Sequence, residues 1–207
     1  MVPELYDGNI EVKAVARDAG SRAKIVIYSR REDIDTIGSF IGIRGSRVQS
    51  VSSELKGEKI DIIKYSSNIA EMAINSLTPA KINKVIVDEE NKLIEVVVKE
   101  DQLSLAIGRG GQNVKLASRL IGYKIDVITD DQESVRRTAE FNQASSLFVE
   151  ALDVEDMIAN LLASEGFLSV EDLASAEISE IQSIEGFDED LAKEIKKRAE
   201  EYLQKIS

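Results

Sequence analysis

The chain has 207 residues, of which 43% are hydrophobic, so it is long enough for more than one domain and apolar enough to fold. It contains no cysteine and no histidine, which excludes disulfides and thiolate metal sites and removes the commonest general base. No segment approaches the roughly 18 apolar residues of a membrane span, and no signal peptide is visible. We therefore expect a cytoplasmic protein that is not an enzyme, holds no metal or other cofactor and binds no membrane.

The net charge of −12 is distributed unevenly along the chain. Residues 1–128 contain 19 Lys and Arg against 18 Asp and Glu, whereas residues 129–207 contain 7 against 20. The acidic excess is thus confined to the last third, which predicts regions with different partners. The alternative is that this third is only a solvated helical surface.

One segment of the chain occurs twice. The run Gly42–Val48 recurs as Gly108–Val114 after 66 residues, and Lys59–Ile62 recurs as Lys124–Val127 after 65 residues. Two copies of one supersecondary unit are therefore predicted. The repeat divides the chain into two such domains at residues 1–66 and 67–129, a connecting helix at residues 130–152 and an acidic helical domain at residues 153–207.

Each copy is predicted to run helix, strand, strand, helix, glycine loop, helix, strand. In chain order the predicted strands are Ile10–Ala16, Ala23–Tyr28, Lys59–Lys64, Lys84–Val87, Leu93–Val98 and Lys124–Ile128. The helices before the glycine loops are predicted at Asp33–Phe40 and Asp101–Ala106, with Asp33 and Asp101 as N-caps. Asn68–Leu77 is the predicted first helix of the second copy, and Met1–Tyr6 could supply a truncated counterpart.

The helices after the glycine loops are predicted to be amphipathic. Their apolar faces contain Val48, Val51 and Leu55 in the first copy and Val114, Ala117 and Leu120 in the second. Gly57 and Gly122 are the predicted C-caps of these two helices.

A glycine loop between two helices suits the binding of phosphate. Glycine has no Cβ, so a nucleic-acid backbone can approach the main chain, and the next helix directs free amides at it. No carboxylate occurs from Thr36 to Ser53 or from Gln102 to Ile125, which predicts an electropositive surface around each loop. The candidate RNA-binding residues are Gly42, Ile43, Arg44, Gly45, Ser46, Arg47, Lys59, Gly108, Arg109, Gly110, Gly111, Gln112, Asn113, Lys115 and Lys124.

Other nucleotide-binding and enzymatic interpretations fail on pattern. A single G-x-x-G usually marks a turn, but here two copies occupy matched positions. The chain has no G-x-G-x-x-G and no P-loop motif, and neither closing strand carries the aromatic residues of an RRM beyond Tyr65. Without a nucleophile motif or a nucleotide fingerprint, no catalytic constellation is present.

The repeated unit resembles a KH domain of the bacterial type II topology, whose G-x-x-G loop clamps about four nucleotides. The runs Asp101–Asn113 and Gly122–Asp126 are similar to the second KH domain of the NusA family of bacterial transcription factors. Val2–Gly8, Arg17–Lys24 and Gly42–Glu58 are similar to the first. The resemblance implies an α+β chain with two tandem type II KH domains, followed by a small all-α helix-hairpin-helix domain.

The resemblance also implies a function. Members of this family modulate pausing, termination and antitermination by binding nascent single-stranded RNA at RNA polymerase, together with other transcription factors. Their N-terminal polymerase-binding and S1 domains have no counterpart here, so we expect a fragment whose Met1 is a start codon. Gly110 departs from the family, which usually has a side chain there, and this places more of the binding on Arg109. The alternative is a tandem-KH protein of ribosome assembly or RNA turnover.

The acidic third is predicted to be helical at Ser134–Leu152, Val154–Leu162, Ile178–Ile184 and Leu191–Leu203. The last two helices indicate a helix-hairpin-helix with an apolar seam and Phe187 in the hairpin; the seam residues are Ile181, Ile184, Leu191 and Ile195. Such hairpins often bind DNA phosphates, but Asp188 replaces the second glycine and other acids surround it, so DNA binding is disfavoured. The resemblance implies contact between residues 153–207 and a protein such as the C-terminal domain of the polymerase α-subunit, or autoinhibition by docking on the KH surface.

Overall fold

The computed structural model describes residues 8–31 and 35–206. The chain forms two compact units, residues 1–130 and residues 131–207. The first unit contains both copies of the repeat, and the second is helical. The predicted helix at Met1–Tyr6 and the predicted N-cap Asp33 lie outside the described residues.

From the first strand onwards, both copies of the repeat in the first unit have the same element order. The first copy contains β1 (Ile10–Asp18), β2 (Arg22–Ser29), α1 (Thr36–Ile41), α2 (Ser46–Glu54) and β3 (Lys59–Lys64). The second contains α3 (Ile69–Ser76), β4 (Ile82–Asp88), β5 (Leu93–Val98), α4 (Glu100–Ile107), α5 (Gln112–Ile121) and β6 (Lys124–Thr129). A short 3-10 turn lies between the last two helices of each copy, at Ile43–Gly45 and Arg109–Gly111.

The two three-stranded sheets have identical topology. In each, the first two strands are antiparallel, and the last strand pairs in parallel with the central one. The parallel registers begin at equivalent pairs, Arg22 with Lys59 and Leu93 with Lys124. A bulge interrupts the hairpin at the same place in both copies. The predicted α+β architecture with two type II KH modules is thereby confirmed.

Several predicted helix ends are displaced. The N-cap of α1 is Asp35, whose carboxylate accepts a hydrogen bond from the Gly38 amide. Asp101 is not an N-cap, because α4 begins one residue earlier at Glu100 and Asp101 lies in its first turn. Gly122 is the left-handed C-cap of α5 as predicted, whereas Gly57 lies two residues beyond the C-cap of α2.

The two modules differ in how fully their helices cover the sheet. In the second, Ala73 and Leu77 are completely buried in one core with Ala117 and Ile125. In the first module, the helix after the glycine loop has no fully buried residue, and Val51 is 44% exposed. The predicted apolar face of α2 is thus only partly covered, whereas its counterpart in α5 forms part of a closed core.

The first sheet packs directly on the second module. Val26 and Ile63 form an apolar cluster with Met72 and Leu120, which belong to α3 and α5. Ala14 of β1 packs against the same cluster, and its small side chain permits the close approach of the first sheet to the second module. The first sheet therefore uses one face for its own helices and the other to join the second module.

A buried ion pair lies on the joining face of the first sheet. Strand alternation places Lys24 on the same face as Val26, and its side chain is fully buried. Its ammonium lies 2.9 Å from the Asp61 carboxylate, which also accepts two hydrogen bonds from Arg22. Burial lowers the pKa of Lys24, and the charge of Asp61 opposes that effect. Such a pair fixes geometry more than it adds net stability, because desolvation offsets its attraction.

A second charged contact holds the β1–β2 turn of the first module. Arg17 donates two hydrogen bonds to the Glu58 carboxylate, at 2.8 and 2.6 Å, and the Gly20 amide donates a third at 2.7 Å. The hydrogen bonds from Arg17, followed by that from Gly20, lower the pKa of Glu58 from 4.5 to about 2. The turn is thus tied to the segment that leads into β3.

Acidification should weaken the first unit through Glu58. Because folding lowers this pKa, the ionised carboxylate stabilises the fold above pH 4.5, and that contribution is lost as the pH falls from 4.5 towards 2. We expect the urea midpoint of the first unit to fall between pH 5 and pH 3, and to fall less in Glu58→Gln. Urea unfolding followed by circular dichroism at both pH values measures this. An equal fall in the two proteins would contradict the assigned role of Glu58.

The second unit is a set of five helices around one core. They are α6 (Asp130–Leu152, whose first residue belongs to the first unit), α7 (Asp156–Ser164), α8 (Val170–Ser175), α9 (Ile178–Gln182) and α10 (Glu189–Ile206). Phe148, Leu162, Leu173, Ile181 and Ile195 are completely buried. The predicted seam and the buried position of Phe187 are confirmed, although Leu191 is only partly buried. No helix among the described residues is long and apolar enough to cross a membrane.

The sequence prediction missed one helix of this unit, α8. Its N-terminus carries a capping box in which Ser169 and Asp172 satisfy each other's backbone amides. With α7 it forms a first hairpin around Gly166, and α9 and α10 form a second around Gly186. The acidic unit therefore contains two hairpins rather than one.

Candidate nucleic-acid interface

The backbone of the first glycine loop has a conformation that residues with a side chain rarely adopt. Gly42, Arg44 and Gly45 all have positive φ, at 76°, 52° and 80°. Gly45 is also the N-cap of α2 and offers no side-chain hydrogen bond to its amides. Ile43, between them, is 86% exposed. The loop thus presents main chain and two projecting side chains in front of a helix N-terminus.

The second loop repeats this backbone closely. Gly108, Gly110 and Gly111 have φ values of 74°, 61° and 75°, and Gly111 is the uncapped N-cap of α5. Gly110 occupies the left-handed position that Arg44 occupies in the first loop. Glycine adopts this conformation without the steric cost borne by a residue with a Cβ. Compared with Arg44 in the first loop, Gly110 therefore lacks a side chain but relieves backbone strain.

Within each loop, the first glycine and the fourth glycine have different surroundings. A Cβ on Gly42 would lie 2.7 Å from the Arg47 side chain, and one on Gly108 would lie 2.7 Å from the Asn113 side chain. A Cβ on Gly45 would meet nothing within 4 Å, and one on Gly111 would meet only the end of Lys115, at 3.4 Å. The first glycine of each motif is required by packing, whereas the fourth faces open space that a ligand can enter.

Basic side chains line a cleft beside the second loop. Arg109, Lys115 and Arg119 line it, together with Asp18 from the first module. The Lys115 ammonium also donates to the Gly110 carbonyl, at 3.2 Å. Arg119 was not among the predicted RNA-binding residues, although it lies in the carboxylate-free segment; its spacing of four from Lys115 places both on one helix face. This cleft can accept a phosphate chain.

The first loop carries fewer cations. Arg44 and Lys59 are exposed, and Ser46 is the first residue of α2. Arg47 is partly buried, packs against Gly42 and donates a hydrogen bond to the Ser39 carbonyl. Its guanidinium is therefore partly committed to supporting the loop.

Two predicted residues of the second module, Asn113 and Lys124, have partners within the protein. Asn113 is 1% exposed, and its amide group donates to the carbonyls of Leu77, Leu105 and Ala106. The Asn113 side chain therefore supports the loop from inside, and contact between this residue and RNA stays a prediction. Lys124 is exposed but lies 2.7 Å from the Asp126 carboxylate.

Gln112 connects the second loop to the first module. Its Nε2 lies 2.5 Å from the Asp18 carboxylate and 2.6 Å from the Ser21 hydroxyl, both at the β1–β2 turn. The Gln112 side chain thus makes a contact between the modules, and its contact with RNA stays a prediction. The second glycine loop is held against the same turn that Glu58 fixes.

The comparisons with known proteins agree with this architecture. Residues 1–65 match the NusA-like first KH domain, residues 69–135 match the NusA-like second KH domain, and residues 154–201 match a SAM-like helix-hairpin-helix tandem. Two relatives, from Rickettsia prowazekii and Rickettsia conorii, are each 51% identical over 205 residues, or 98% of this chain. Both are named transcription termination/antitermination protein NusA.

The chain belongs to the NusA family. It spans 41% of the length of each of these NusA relatives. The crystal structure of APE1850 is also similar, with 25% sequence identity and a TM-score of 0.46, over 62% of this chain and 94% of that one. The SAM-like helix-hairpin-helix tandem agrees with the two hairpins of the second unit, in which Glu165-Gly166-Phe167 and Glu185-Gly186-Phe187 recur at the hairpin bends.

Proposed function

We propose that this chain binds single-stranded RNA through its two G-x-x-G loops, as the RNA-binding part of a factor in transcription termination and antitermination. The observation that carries the proposal is the matched pair of loops. Each has the same left-handed backbone, an open fourth glycine and an uncapped helix behind it. A helix N-terminus of this kind favours anions, and an open glycine lets a phosphate approach the main chain.

The assignment to transcription is supported by the relatives, whose names state termination and antitermination. Those names do not favour the alternative in ribosome assembly or RNA turnover. RNA polymerase and other transcription factors are therefore the proposed protein partners.

The packing of the two modules supports one continuous RNA surface. The apolar cluster of Val26, Ile63, Met72 and Leu120, together with the Gln112 hydrogen bonds, fixes one loop relative to the other. A strand of RNA that reaches both loops then binds its second site intramolecularly. Independent modules would lack this advantage.

The length of the RNA should therefore change its affinity strongly. We expect an RNA of about 12 nucleotides to bind on the order of 100-fold more tightly than a tetranucleotide, because effective concentration adds the second contact. Fluorescence anisotropy with labelled RNAs of varied sequence measures both affinities. Equal affinities for the two lengths in the wild-type chain would contradict a continuous surface, and no binding of any RNA would contradict the function.

The acidic unit is the proposed protein-docking part. All of the excess negative charge of the chain lies within residues 129–207, and the hairpin residue Asp188 accepts a hydrogen bond from the Leu191 amide at the start of α10. A carboxylate at this helix N-terminus occupies the place that a DNA phosphate would take, so DNA is not a proposed partner. A basic protein surface, such as one on the C-terminal domain of the polymerase α-subunit, fits residues 153–207 better. Docking on the KH surface is the alternative use of the same charge.

A further inference from the structure

A polar pocket lies on the first module, away from the residues of either glycine loop. Tyr28 stands near the end of β2, and Tyr65 directly follows β3. Their ring centroids are 5.7 Å apart, and the planes meet at 87°. The other residues that line the pocket are Ser29, Arg30, Arg31, Thr36 and Lys64.

Both tyrosines of this pair are partly exposed to solvent. Tyr28 is 37% exposed and Tyr65 is 38% exposed. Neither hydroxyl has a hydrogen-bond partner within residues 8–31 and 35–206. The edge-to-face arrangement leaves ring surface open towards solvent. These rings therefore contribute little to a closed core and leave aromatic surface that a planar ligand can cover.

The second module has no such pair. The sheet registers make Ile27 with Lys64 equivalent to Val98 with Thr129. The next residues, Tyr28 and Tyr65, thus correspond to Lys99 and Asp130 in the second copy. The Asp130 carboxylate there accepts hydrogen bonds from the Asn83 amide. The same position in the fold is closed by polar contacts in one module and is aromatic in the other, so the fold itself does not require tyrosine.

The charge around the pocket is mixed but favours anions. The Lys13 ammonium lies 5.0 Å from the centre of the Tyr28 ring. Glu11 pairs with both Lys13 and Arg30, so its charge is neutralised locally. The exposed ammonium of Lys64 forms no ion pair with any residue that the structure describes. Exposed aromatic rings beside cations are the combination that holds a nucleobase and its phosphate.

We propose that Tyr28 and Tyr65 form an additional RNA site, which stacks one base of a strand extending beyond the glycine loops, with Lys64 beside its phosphate. This rests on the proposed function, because the occupant is taken to be the same single-stranded RNA. Stacking is tolerant of base identity, since every base has a π-face. The site would thus lengthen the bound segment without adding strong sequence preference.

Photocrosslinking tests the site directly in the full chain. RNAs of about 12 nucleotides, with 5-iodouridine at successive positions, are irradiated on the protein, and the crosslinked peptides are identified by mass spectrometry. We expect crosslinks at Tyr28 or Tyr65 from at least one position. Crosslinks confined to other residues, from every position of the RNA, would overturn the proposal.

Affinity measurements give an independent test. Tyr28→Ala combined with Tyr65→Ala should weaken binding of the longer RNA about tenfold, the loss expected for one stacked base, and leave tetranucleotide affinity unchanged. The matched control is Tyr28→Phe with Tyr65→Phe, which keeps the rings and should bind as the wild type does. If the alanine variant folds and binds the longer RNA with wild-type affinity, the additional site is contradicted and the proposed function is not. If the wild-type chain binds no RNA, the proposed function fails instead.

Discussion

Replacing Gly45 and Gly111 together by aspartate is expected to weaken RNA binding at least 100-fold and to leave both modules folded. At each position the new side chain would enter the open space in which the RNA backbone is proposed to lie. The carboxylate adds repulsion between like charges at short range, which is strong where water is displaced. The fold should survive because aspartate is among the residues that tolerate a left-handed backbone, and φ is 80° and 75° at these positions.

The matched control for this variant replaces both glycines by asparagine. Asparagine has nearly the shape of aspartate and an equal tolerance of positive φ, but it carries no charge. We expect it to bind RNA more weakly than glycine and much more tightly than aspartate. Anisotropy titrations give the affinities, and circular dichroism with thermal melting reports the fold. Wild-type affinity in a folded double aspartate variant would show that RNA does not approach these glycines.

Removal of residues 139–207 is expected to strengthen RNA binding about tenfold at low salt. These residues contain the whole core of the second unit, which begins at Phe141, and most of the negative charge of the acidic third. A tethered polyanion lowers the affinity of a nearby surface for RNA, either by long-range repulsion or by occupying that surface. The first unit keeps its own cores and should remain folded after the cut.

Titrations over a range of salt concentrations distinguish the two mechanisms. Diffuse repulsion is screened over about 8 Å at physiological ionic strength, so the truncated and full chains should converge as salt rises. A docked acidic unit should keep its effect to higher salt. It should also change the slope of log affinity against log salt, because each phosphate contact contributes about 0.7 to the size of that slope. One affinity for both chains at every salt concentration would leave the acidic unit as a docking domain or a spacer.

Much of the first unit could be predicted from the sequence because its signals are local. The spacing of glycines in the two loops, repeated after 66 residues, located both candidate sites. Alternating apolar residues located every strand end to within two residues, and β3 and β5 agree at both ends with the predicted Lys59–Lys64 and Leu93–Val98. These patterns depend on neighbours along the chain.

The features that escaped prediction depend on tertiary packing. Lys24 occurs at an alternate strand position, where a lysine normally indicates a solvent-facing side. It is buried because the second module covers that side of the sheet, and the neighbouring residues in the sequence do not predict this burial. Asn113 and Gln112 follow the glycines directly and so resemble ligand contacts, yet one supports the loop and the other reaches the first module. The first hairpin of the acidic unit had a signal, the repeated Glu-Gly-Phe at Glu165 and Glu185.

The contrast between the outer glycines of each loop bears on how such a chain can change over evolution. Gly42 and Gly108 are required for folding, because any side chain there would collide with the next helix. The positions between the outer glycines are not restricted by packing in this way, as the exchange of arginine for glycine between Arg44 and Gly110 illustrates, although the left-handed backbone at that position favours glycine. A duplicated module can therefore acquire a different RNA preference by drift at its inner loop positions without a change in its core packing. The two copies are free to diverge in what they bind long before they diverge in shape.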